Sequence, residues 1–419
     1  MDYFNYKNGI LHVEDLSINN IARSIETPFY CYSSTSMRKN YNDLSNSLSK
    51  LNTSIFYAIK ANSNLAIIKL FSDLGAGADV VSEGEIRRAL KVGIPNNKII
   101  FSGVGKTKKE ISFALNKEIL QINIESESEL ELINQTALEL NKKANVAFRI
   151  NPDIEVNTHE KITTGKKENK FGIPWPEAKE VFIKASKMKN INVIGLAIHI
   201  GSQLLDLSPL EKAFKIVMDA TNELLELGIN VKNIDLGGGL GVKYVDEKPP
   251  NFNDYADIIK KNIDYENMNI FIEPGRRLVA NAGILVTKVI YVKNNGKKTF
   301  LIVDAAMNDL LRPSLYDAVH QIKPIQVRES KNKKSFDIVG PICESGDILA
   351  KNIMLDEILP EELLSIHSAG AYGSAMSSNY NSRLLVPEIL VQNRDFAIIR
   401  KRPTYDEMLK IEKLAKWQV

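Results

Sequence analysis

Cysteine is almost missing from this chain, whose 419 residues include only Cys31 and Cys343. Two cysteines cannot build a disulfide framework for a chain of this size, so we expect reduced thiols and a cytoplasmic protein. Long apolar runs are missing too. The best one, residues 191–200, is interrupted by Asn192 and His199 and falls short of the roughly 18 residues that span a membrane. The N-terminus also lacks the basic and then apolar layout of a secretory signal.

Charge of one sign is not in excess either, because 54 Lys and Arg stand against 51 Asp and Glu. The net charge of +3 offers no electrostatic footprint for nucleic acid or an anionic membrane, so we expect neither as a partner. The five histidines show no paired spacing, and neither Cys-x-x-Cys nor Gly-x-Ser-x-Gly occurs. These absences argue against a metal site and against an α/β-hydrolase.

Short β-branched runs alternate with amphipathic helical segments through the first two-thirds of the chain. Eight of these runs are candidate strands: residues 54–60, 78–81, 98–101, 120–124, 145–151, 193–200, 233–236 and 269–273. About eight strand–helix units in roughly 230 residues predict a (β/α)8 barrel, and hence an α/β fold. We place this barrel at residues 35–280.

The pattern of predicted elements changes after Gly283, where strand-like runs follow one another without long helices between them. These runs are residues 284–292, 299–304, 336–339, 364–368 and 396–400. They predict a second, β-rich domain formed by residues 281–419 together with 1–34, because the strand-like run 29–33 precedes the barrel. We expect a closing helix at residues 405–416.

Residues that could bind a ligand or take part in catalysis fall at or just after the ends of the predicted barrel strands, where the active site of such a barrel lies. They are Lys60, Asp79, Arg149, His199, 237–239 and 273–276. A lysine at the inner end of a barrel strand is partly desolvated, which favours the neutral amine needed for Schiff-base chemistry. Each residue alone also has an ordinary structural explanation, such as a surface lysine, a core histidine or an ion pair.

Two glycine-rich segments follow predicted strands. In 103–107 (GVGKT) the first glycine of a P-loop is replaced by Ile100, so we interpret this segment as an ordinary βα turn. In 237–241 (GGGLG) Val242 occupies the place of the third glycine of a dinucleotide fingerprint. This run is therefore either a tight turn or an anion-binding loop, and its place at a strand end favours phosphate.

Five motifs in consistent order between Pro28 and Arg400 together resemble the alanine-racemase-fold group of pyridoxal-phosphate decarboxylases. They are 57–62 (YAIKAN), 199–203 (HIGSQ), 237–241, 273–276 (EPGR) and 340–347 (GPICESGD). Residues 158–165 with 170–172, and 312–316 with His320, resemble the branch of that group that acts on diaminopimelate. Each motif alone is weak evidence, but the ordered set is specific and covers most of the chain.

The resemblance implies an alanine-racemase-like fold with pyridoxal 5'-phosphate as the cofactor. It implies that Lys60 holds the cofactor as an internal aldimine, that His199 stacks on the pyridine ring, and that Glu273 pairs with the pyridine nitrogen. The phosphate would be bound by backbone amides and one hydroxyl group, contributed by Ser202, Gly239, Gly275, Arg276 and Tyr372.

The resemblance also assigns a catalytic role to Cys343, which would protonate the carbanion left after CO2 departs. A thiol suits this step because an ordinary pKa of about 8.5 keeps it protonated at neutral pH. In this family the residues that match Cys343 and Glu344 reach the active site of the partner subunit. We therefore expect a homodimer with shared active sites.

The charge of the substrate's far end distinguishes the members of the group. Diaminopimelate carries an ammonium and a carboxylate there, whereas ornithine, arginine and lysine carry only a cation. We expect the carboxylate to meet Arg276, Arg312 and Tyr316, with Tyr372 also at the substrate. Glu344 would meet the ammonium, and it stands where ornithine decarboxylases usually have Asp. This favours meso-2,6-diaminopimelate, which would yield L-lysine and CO2 in the last step of lysine biosynthesis.

Other functions remain open at this stage. A carboxynorspermidine, ornithine or arginine decarboxylase would use the same cofactor residues with a different substrate end. A non-catalytic homologue that binds the cofactor or a partner is a further alternative. Such proteins tend to lose the lysine, the cysteine or a phosphate contact, and Lys60, Cys343 and Tyr372 are all present.

Overall fold

A computed structural model of the protein describes residues 3–154, 170–264, 266–328 and 333–418. The chain divides into two compact units. The barrel unit contains residues 38–243 and 247–278, and the β-rich unit contains residues 1–37, 244–246 and 279–419. The 158–165 stretch that carries part of the resemblance lies outside the described residues.

The N-terminal elements open with a three-stranded antiparallel sheet. They are β1 (Phe4–Lys7), β2 (Ile10–Val13), β3 (Leu16–Ser17), α1 (Ile18–Ser24), β4 (Phe29–Ser33) and α2 (Ser34–Ser47). The β1–β2 turn is Asn8-Gly9, in which both residues have positive φ, at 50° and 74°. A two-residue hairpin turn with positive φ at both central residues strongly favours Asn-Gly, so the local sequence determines this turn.

The barrel unit is built on parallel strands. They are β5 (Thr53–Ala58), β6 (Gly77–Val80), β7 (Ile99–Phe101), β8 (Gln121–Ile124), β9 (Ala144–Asn151), β10 (Ile173–Pro174), β11 (Ile191–Ala197), β12 (Asn233–Asp235) and β13 (Asn269–Ile272). Eight of them close into a ring, because β8 pairs with β9 and β13 pairs with β5, while β10 adds only to β9. The predicted (β/α)8 barrel is confirmed.

Two predicted strand ends are wrong in a way that matters for the site. The strands expected to reach Lys60 and Ile200 end at Ala58 and Ala197. Lys60 lies instead in a single 3-10 turn, Ile59–Ala61. Apolar and β-branched residues continue past both ends, so composition alone could not show where the ladder hydrogen bonds stop.

Helices follow most of the barrel strands. They are α3 (Leu65–Asp73), α4 (Glu83–Lys91), α5 (Lys108–Lys117), α6 (Glu127–Glu139), α7 (Trp175–Ser186), α8 (Ser208–Glu226), α9 (Phe252–Asn262) and α10 (Arg276–Val279). Several begin at a side-chain cap. Ser82 accepts a hydrogen bond from the amide of Glu85, and Thr107 forms a reciprocal capping box with Glu110. Such caps satisfy amides that the first helical turn leaves unpaired.

The 103–107 segment is the turn between β7 and α5. The Nζ atom of Lys106 is buried and donates to three oxygens, those of Gly103, Asn123 and the Glu129 carboxylate, at 2.6 to 2.7 Å. An ammonium with three donors so engaged ties the turn to the neighbouring strand and helix. This agrees with an ordinary βα turn.

The β-rich unit continues after α10. Its elements are β14 (Gly283–Asn294), β15 (Thr299–Val303), α11 (Arg312–Tyr316), β16 (Ile322–Pro324), β17 (Lys334–Val339), β18 (Ile348–Leu355), β19 (Leu363–Ile366), β20 (Glu388–Gln392), β21 (Asp395–Arg400) and α12 (Tyr405–Leu409). The main strand order is β18-β17-β15-β14-β4-β20-β21. The N-terminal strand β4 therefore lies inside the C-terminal sheet, with Cys31 opposite Ile284.

The expected closing helix at 405–416 is wrong, because α12 ends at Leu409. The apolar side chains beyond it are exposed: Ile411 at 84%, Leu414 at 70% and Trp417 at 87%. A helix this short needs tertiary packing of its apolar face to persist, and these residues receive none within the described chain.

Among the described residues, no helix combines the length and the apolar character that a bilayer crossing demands.

Candidate active site

The lysine expected to hold the cofactor is paired with a buried acid. Nζ of Lys60 donates to Oδ2 of Asp79 at 2.8 Å. The contact follows from the barrel, since Ala58 of β5 lies opposite Asp79 of β6. Asp79 is fully buried, and its Oδ1 has no hydrogen-bond partner in the described part of the chain. A carboxylate buried in this way requires a nearby cation, which Lys60 supplies.

Two further carboxyl groups lie side by side at the ends of adjacent strands. Asp235 is the last residue of β12 and Glu273 follows β13, and their buried side chains are hydrogen-bonded to each other. Burial, and next the charge of Asp235, raises the pKa of Glu273 well above its ordinary value. Burial raises the pKa of Asp235 to about 6. Burial and the neighbouring acids thus favour the protonated form of Glu273, whereas hydrogen bonds from Gly237 and Asn123 favour the ionised form of Asp235.

Lys60 lies near enough to these groups to affect them electrostatically. Its charge opposes the rise in the pKa of Glu273. Burial, and then the charges of Arg149 and Lys60, lowers the pKa of His199 well below its usual value. His199 is therefore a neutral imidazole at neutral pH. The structure thus brings Lys60, His199 and Glu273 together, as the sequence predicted.

The glycine run forms close backbone contacts that a side chain would block. A Cβ on Gly238 would lie 2.4 Å from the carbonyl oxygen of Glu273, and one on Gly239 would lie 2.6 Å from that of Gly201. A Cβ on Gly275 would lie 2.9 Å from Cβ of Ala61. Glycine is therefore required at these positions of the barrel mouth because the backbone packs closely against neighbouring segments.

The loop that carries Ser202 is attached to this run. The amide of Leu204 donates to the carbonyl oxygen of Gly239 at 2.9 Å, and the amide of Gly241 donates to that of Leu204 at the same distance. Ser202 and Gly239 are thus held on neighbouring loops. Arg276 begins α10 directly after Gly275 and is buried. The four residues expected to offer backbone amides to a phosphate all belong to the barrel unit.

A buried ion pair between Arg149 and Glu125 contacts the backbone of His199. Arg149 donates to the Glu125 carboxylate at 3.0 Å and to the carbonyl oxygen of His199 at 3.2 Å. The second oxygen of Glu125 accepts the amide of Gly172 at 2.8 Å, and the guanidinium of Arg149 lies over the Phe171 ring. This pair joins the 170–172 motif to the backbone that carries the imidazole.

The β-rich unit carries the cysteine motif on a loop folded around one carboxylate. Asp347 accepts the amides of Met307 and Ile342 at 2.7 and 2.8 Å. Between Ile342 and Asp347 the chain exposes the free thiol of Cys343. The carboxylate of Glu344 accepts the hydroxyl of Tyr380 at 2.7 Å. Cys343 is not the buried apolar residue that its type alone would suggest.

Arg312 is buried in the same unit and is held by aromatic rings. Its Nε donates to Nε2 of His320 at 3.3 Å, while the Nδ1 side of that ring meets the carbonyl oxygen of His367. The guanidinium lies 4.9 Å from the centre of the Tyr244 ring and 6.0 Å from that of Tyr316. Packing of this kind orients a planar cation for recognition of a carboxylate.

Tyr372 stands in an unusual backbone conformation. Its φ is +54°, in the left-handed region, which costs a residue with a bulky side chain about 1–2 kcal/mol. Strain of this kind is common where a side chain must be placed for function. Tyr372 therefore fits the role of a positioned hydroxyl group.

The predicted site residues thus fall into two groups. The barrel unit holds Lys60, His199, Ser202, Gly239, Glu273, Gly275 and Arg276, and the β-rich unit holds Arg312, Tyr316, Cys343, Glu344 and Tyr372.

Sequence reasoning missed Asp235, Glu125 and Tyr380. The first two carried a usable signal, because an acid inside or directly after an apolar parallel strand is rarely buried without a partner. Tyr380 carried no signal, since its contact with Glu344 joins residues 36 positions apart.

Comparison with known proteins identifies a family for the barrel. Residues 34–280 match the family model described as "Pyridoxal-dependent decarboxylase, pyridoxal binding domain". The chain is 44% identical to the diaminopimelate decarboxylase of Aquifex aeolicus over 409 residues, which is 97% of each protein. It is also 44% identical to that of Zymomonas mobilis over 419 residues, which is 99% of each.

Solved structures agree with the sequence matches. The chain is similar to diaminopimelate decarboxylase from Helicobacter pylori complexed with L-lysine, with a TM-score of 0.90 and 42% identity over 94% of this chain and 98% of that one. It is also similar to the M. jannaschii enzyme in complex with L-lysine, with a TM-score of 0.94 and 38% identity over 100% and 99%.

Proposed function

Because this chain belongs to the diaminopimelate decarboxylases, within the pyridoxal-dependent decarboxylase family, we propose that the predicted site residues share the work of that reaction. The chain is a carboxy-lyase that converts meso-2,6-diaminopimelate to L-lysine and CO2, the last step of lysine biosynthesis. The resemblance read from the sequence is confirmed, together with its pyridoxal-phosphate cofactor.

The barrel mouth fits pyridoxal 5'-phosphate in two respects. The Oε1 atom of Glu273 is buried without a partner in the described chain, so it is available to the pyridine nitrogen. The amides of Gly237 and Gly238 donate to Asp235 and His199, while Gly239 ends this run of glycines without a Cβ to shield its amide, which suits a phosphate. When bound, the cofactor supplies an aldehyde that takes up an amine and a ring that accepts the electron pair released as CO2 leaves.

In this proposal each barrel residue has a defined task. Lys60 would hold the cofactor covalently through its amine, and Asp79 balances the charge of that amine. His199, held neutral, packs on the ring without adding charge to it. Glu273 keeps a proton at the pyridine nitrogen. The amides of four residues, with the hydroxyl of Tyr372, hold the phosphate: Ser202, Gly239, Gly275 and Arg276.

Cys343 gives a proton to the substrate carbon that has lost CO2. Its thiol is free and exposed, and the surrounding loop is fixed by the two amide contacts of Asp347. A fixed loop places the acid with little loss of entropy at the moment of transfer.

The far end of the substrate meets residues of opposite charge. Arg312, oriented by aromatic rings, and Arg276 bind the distal carboxylate together with Tyr316. Glu344 binds the distal ammonium, and Tyr372 also borders the substrate. This arrangement recognises a diamino diacid and disfavours ornithine, arginine or lysine, each of which would leave a guanidinium unpaired.

We further propose a cytoplasmic homodimer in which the partner's Cys343 and the partner's Glu344 complete each active site. Support for the cytoplasm comes from the chemistry of Cys343, because a proton donor must stay a free thiol and reducing conditions keep it so.

The observation that carries the proposal is that one barrel mouth holds the Lys60–Asp79 pair and the buried Glu273, whose Oε1 has no partner among the described residues. The test is CO2 release by holoenzyme from a panel of meso-diaminopimelate, ornithine, arginine, lysine and carboxynorspermidine. We expect turnover of meso-diaminopimelate to exceed the others by at least about tenfold to a hundredfold in kcat/KM. Preference for a substrate without a distal carboxylate would contradict the residue assignments at that end.

A further inference from the structure

Asp235 is surrounded by hydrogen-bond donors that favour its ionised form. Its Oδ1 accepts the amide of Gly237 at 2.9 Å, and its Oδ2 accepts Nδ2 of Asn123 at 3.0 Å. A carboxylate that receives two N–H donors in a buried site is stabilised as an anion. Asp235 is not among the residues to which the proposed mechanism assigns a role.

The orientation of the Asn123 amide is set by its neighbours. Nε2 of Gln121 donates to Oδ1 of Asn123 at 2.9 Å, and Nδ2 of Asn233 donates to Oε1 of Gln121 at 3.2 Å. Because its oxygen is already engaged, Asn123 presents its N–H groups to Ser102 and Asp235. A reversed amide would break two of these bonds, so Asp235 faces a fixed donor.

Glu273 must then carry the proton that joins the two carboxyl groups. Its backbone is fixed, because its amide donates to the carbonyl oxygen of Gly237 at 2.7 Å. Two hydrogen-bonded carboxyl groups need one proton between them, and the two donors at Asp235 leave that proton on Glu273. The nearby charge of Asp79 acts in the same direction on the pKa of Glu273.

We propose that Asp235 is a positioning residue for Glu273: its ionised carboxylate accepts the proton of the Glu273 carboxyl group, fixes that group, and gives the pair a negative charge beside the place where the protonated pyridine nitrogen of the cofactor binds. The inference rests on the proposed function, in which Glu273 meets that nitrogen. Asp235 acts only through Glu273. The negative charge of Asp235 raises the proton affinity of the ring nitrogen that Glu273 meets. A protonated ring is an efficient electron acceptor.

The test follows ring protonation directly in holoenzyme loaded with pyridoxal phosphate that carries ¹⁵N in its ring. The ¹⁵N chemical shift is recorded as a function of pH for wild type and Asp235→Asn. The substitution keeps the side-chain volume and removes the charge. We expect proton affinity at the ring nitrogen to fall by about tenfold or more, which moves its titration down by about one pH unit or more. An unchanged titration would overturn the proposal.

A matched control and a second variant distinguish the role of Asp235 from the role of Glu273. Asp309→Asn removes a buried acid of the β-rich unit whose pKa burial also raises to about 6, and it should leave the ring titration unchanged. Glu273→Gln should abolish ring protonation at neutral pH. If Glu273→Gln has no effect, the assignment of Glu273 in the proposed function fails. If only Asp235→Asn has no effect, the present inference fails and that assignment stands.

If Asp235→Asn does not fold, infrared spectroscopy of the full-length apoprotein still tests the Glu273 proton that the inference requires. At about pH 8.5 Glu85 and Asp309 are ionised, since burial raises their pKa values only to about 7 and about 6. In a pH titration we expect wild type to keep a protonated-carboxyl stretch above the pH at which an ordinary glutamic acid ionises, and we expect Glu273→Gln to lose that band. A wild-type spectrum without that band, or a band that persists in the variant, would overturn the proposal.

Discussion

The amide of Gly238 donates a hydrogen bond of 3.2 Å to Nδ1 of His199. A ring nitrogen that accepts a hydrogen bond carries no proton, so the proton of the neutral imidazole resides on Nε2. Two features of this position matter for the site. Any residue except proline would provide this donor, but only glycine avoids the collision of a Cβ with the carbonyl oxygen of Glu273.

His199 should remain neutral well below pH 6.5. In ¹⁵N-histidine spectra we expect its Nε2-protonated form to persist between about pH 8 and 5.5, with Arg149 and Lys60 opposing protonation. Unfolding releases the ring to its ordinary pKa of about 6.5, so the free energy of unfolding should fall as pH drops below that value. His199→Gln, which also assigns the signal, should show a shallower fall. A His199 titration near pH 6.5 would contradict the prediction.

Lys60→Ala should abolish reductive trapping of the cofactor by borohydride and lower kcat by roughly a thousandfold or more, because no other residue is assigned to bind the aldehyde. Peptide mapping after borohydride treatment of wild type should place the label on Lys60. Lys69→Ala is the matched control, since Lys69 forms an exposed ion pair with Asp73 on α3. A label elsewhere in the wild-type protein would contradict the assignment.

Arg312→Ala should weaken use of meso-diaminopimelate by about thirtyfold or more in kcat/KM, equivalent to roughly 2 kcal/mol or more for loss of a charged, oriented contact. Arg312→Lys should recover only part of this loss, because a lysine cannot make the planar contact. Arg328→Ala, which removes an exposed partner of Glu362 in the same unit, serves as control. Equal effects of the two alanine variants would refute the specific role of Arg312.

Tyr380→Phe should raise KM for meso-diaminopimelate by about threefold to tenfold while kcat changes little. The substitution removes only the hydroxyl that orients Glu344, which corresponds to about 1 kcal/mol for one hydrogen bond. Steady-state kinetics on purified holoenzyme measure this split. An unchanged KM would show that Glu344 needs no such orientation.

Mixed dimers should test the shared active site. If the partner's Cys343 completes each site, inactive Lys60→Ala and inactive Cys343→Ala proteins should regain about one quarter of wild-type activity after equal mixing, because half of the dimers contain one intact site. Subunit exchange is verified by differently tagged chains. Exchange without recovered activity would mean that each chain uses its own cysteine.

Periodicity and motif order made the fold predictable. Parallel strands buried on both faces give short apolar runs separated by amphipathic helices, and all eight barrel strands were located within a few residues. The errors have physical causes. The helix expected at 405–416 ends at Leu409, and the apolar side chains beyond it are exposed rather than packed against the described chain. Short strands such as β16 escaped detection because three residues carry no period.

The sequence by itself determined the barrel and the family, and it predicted the residues that we propose touch the cofactor, because these follow from local patterns and from side-chain types that the chemistry demands. Only the tertiary structure decided the electrostatics. Asp79, Asp235 and Glu273 come from three different strands, and closure of the barrel brings their charges into one buried place. Which of these acids carries a proton depends on burial and on donors such as Asn123, and those are properties of the folded chain alone.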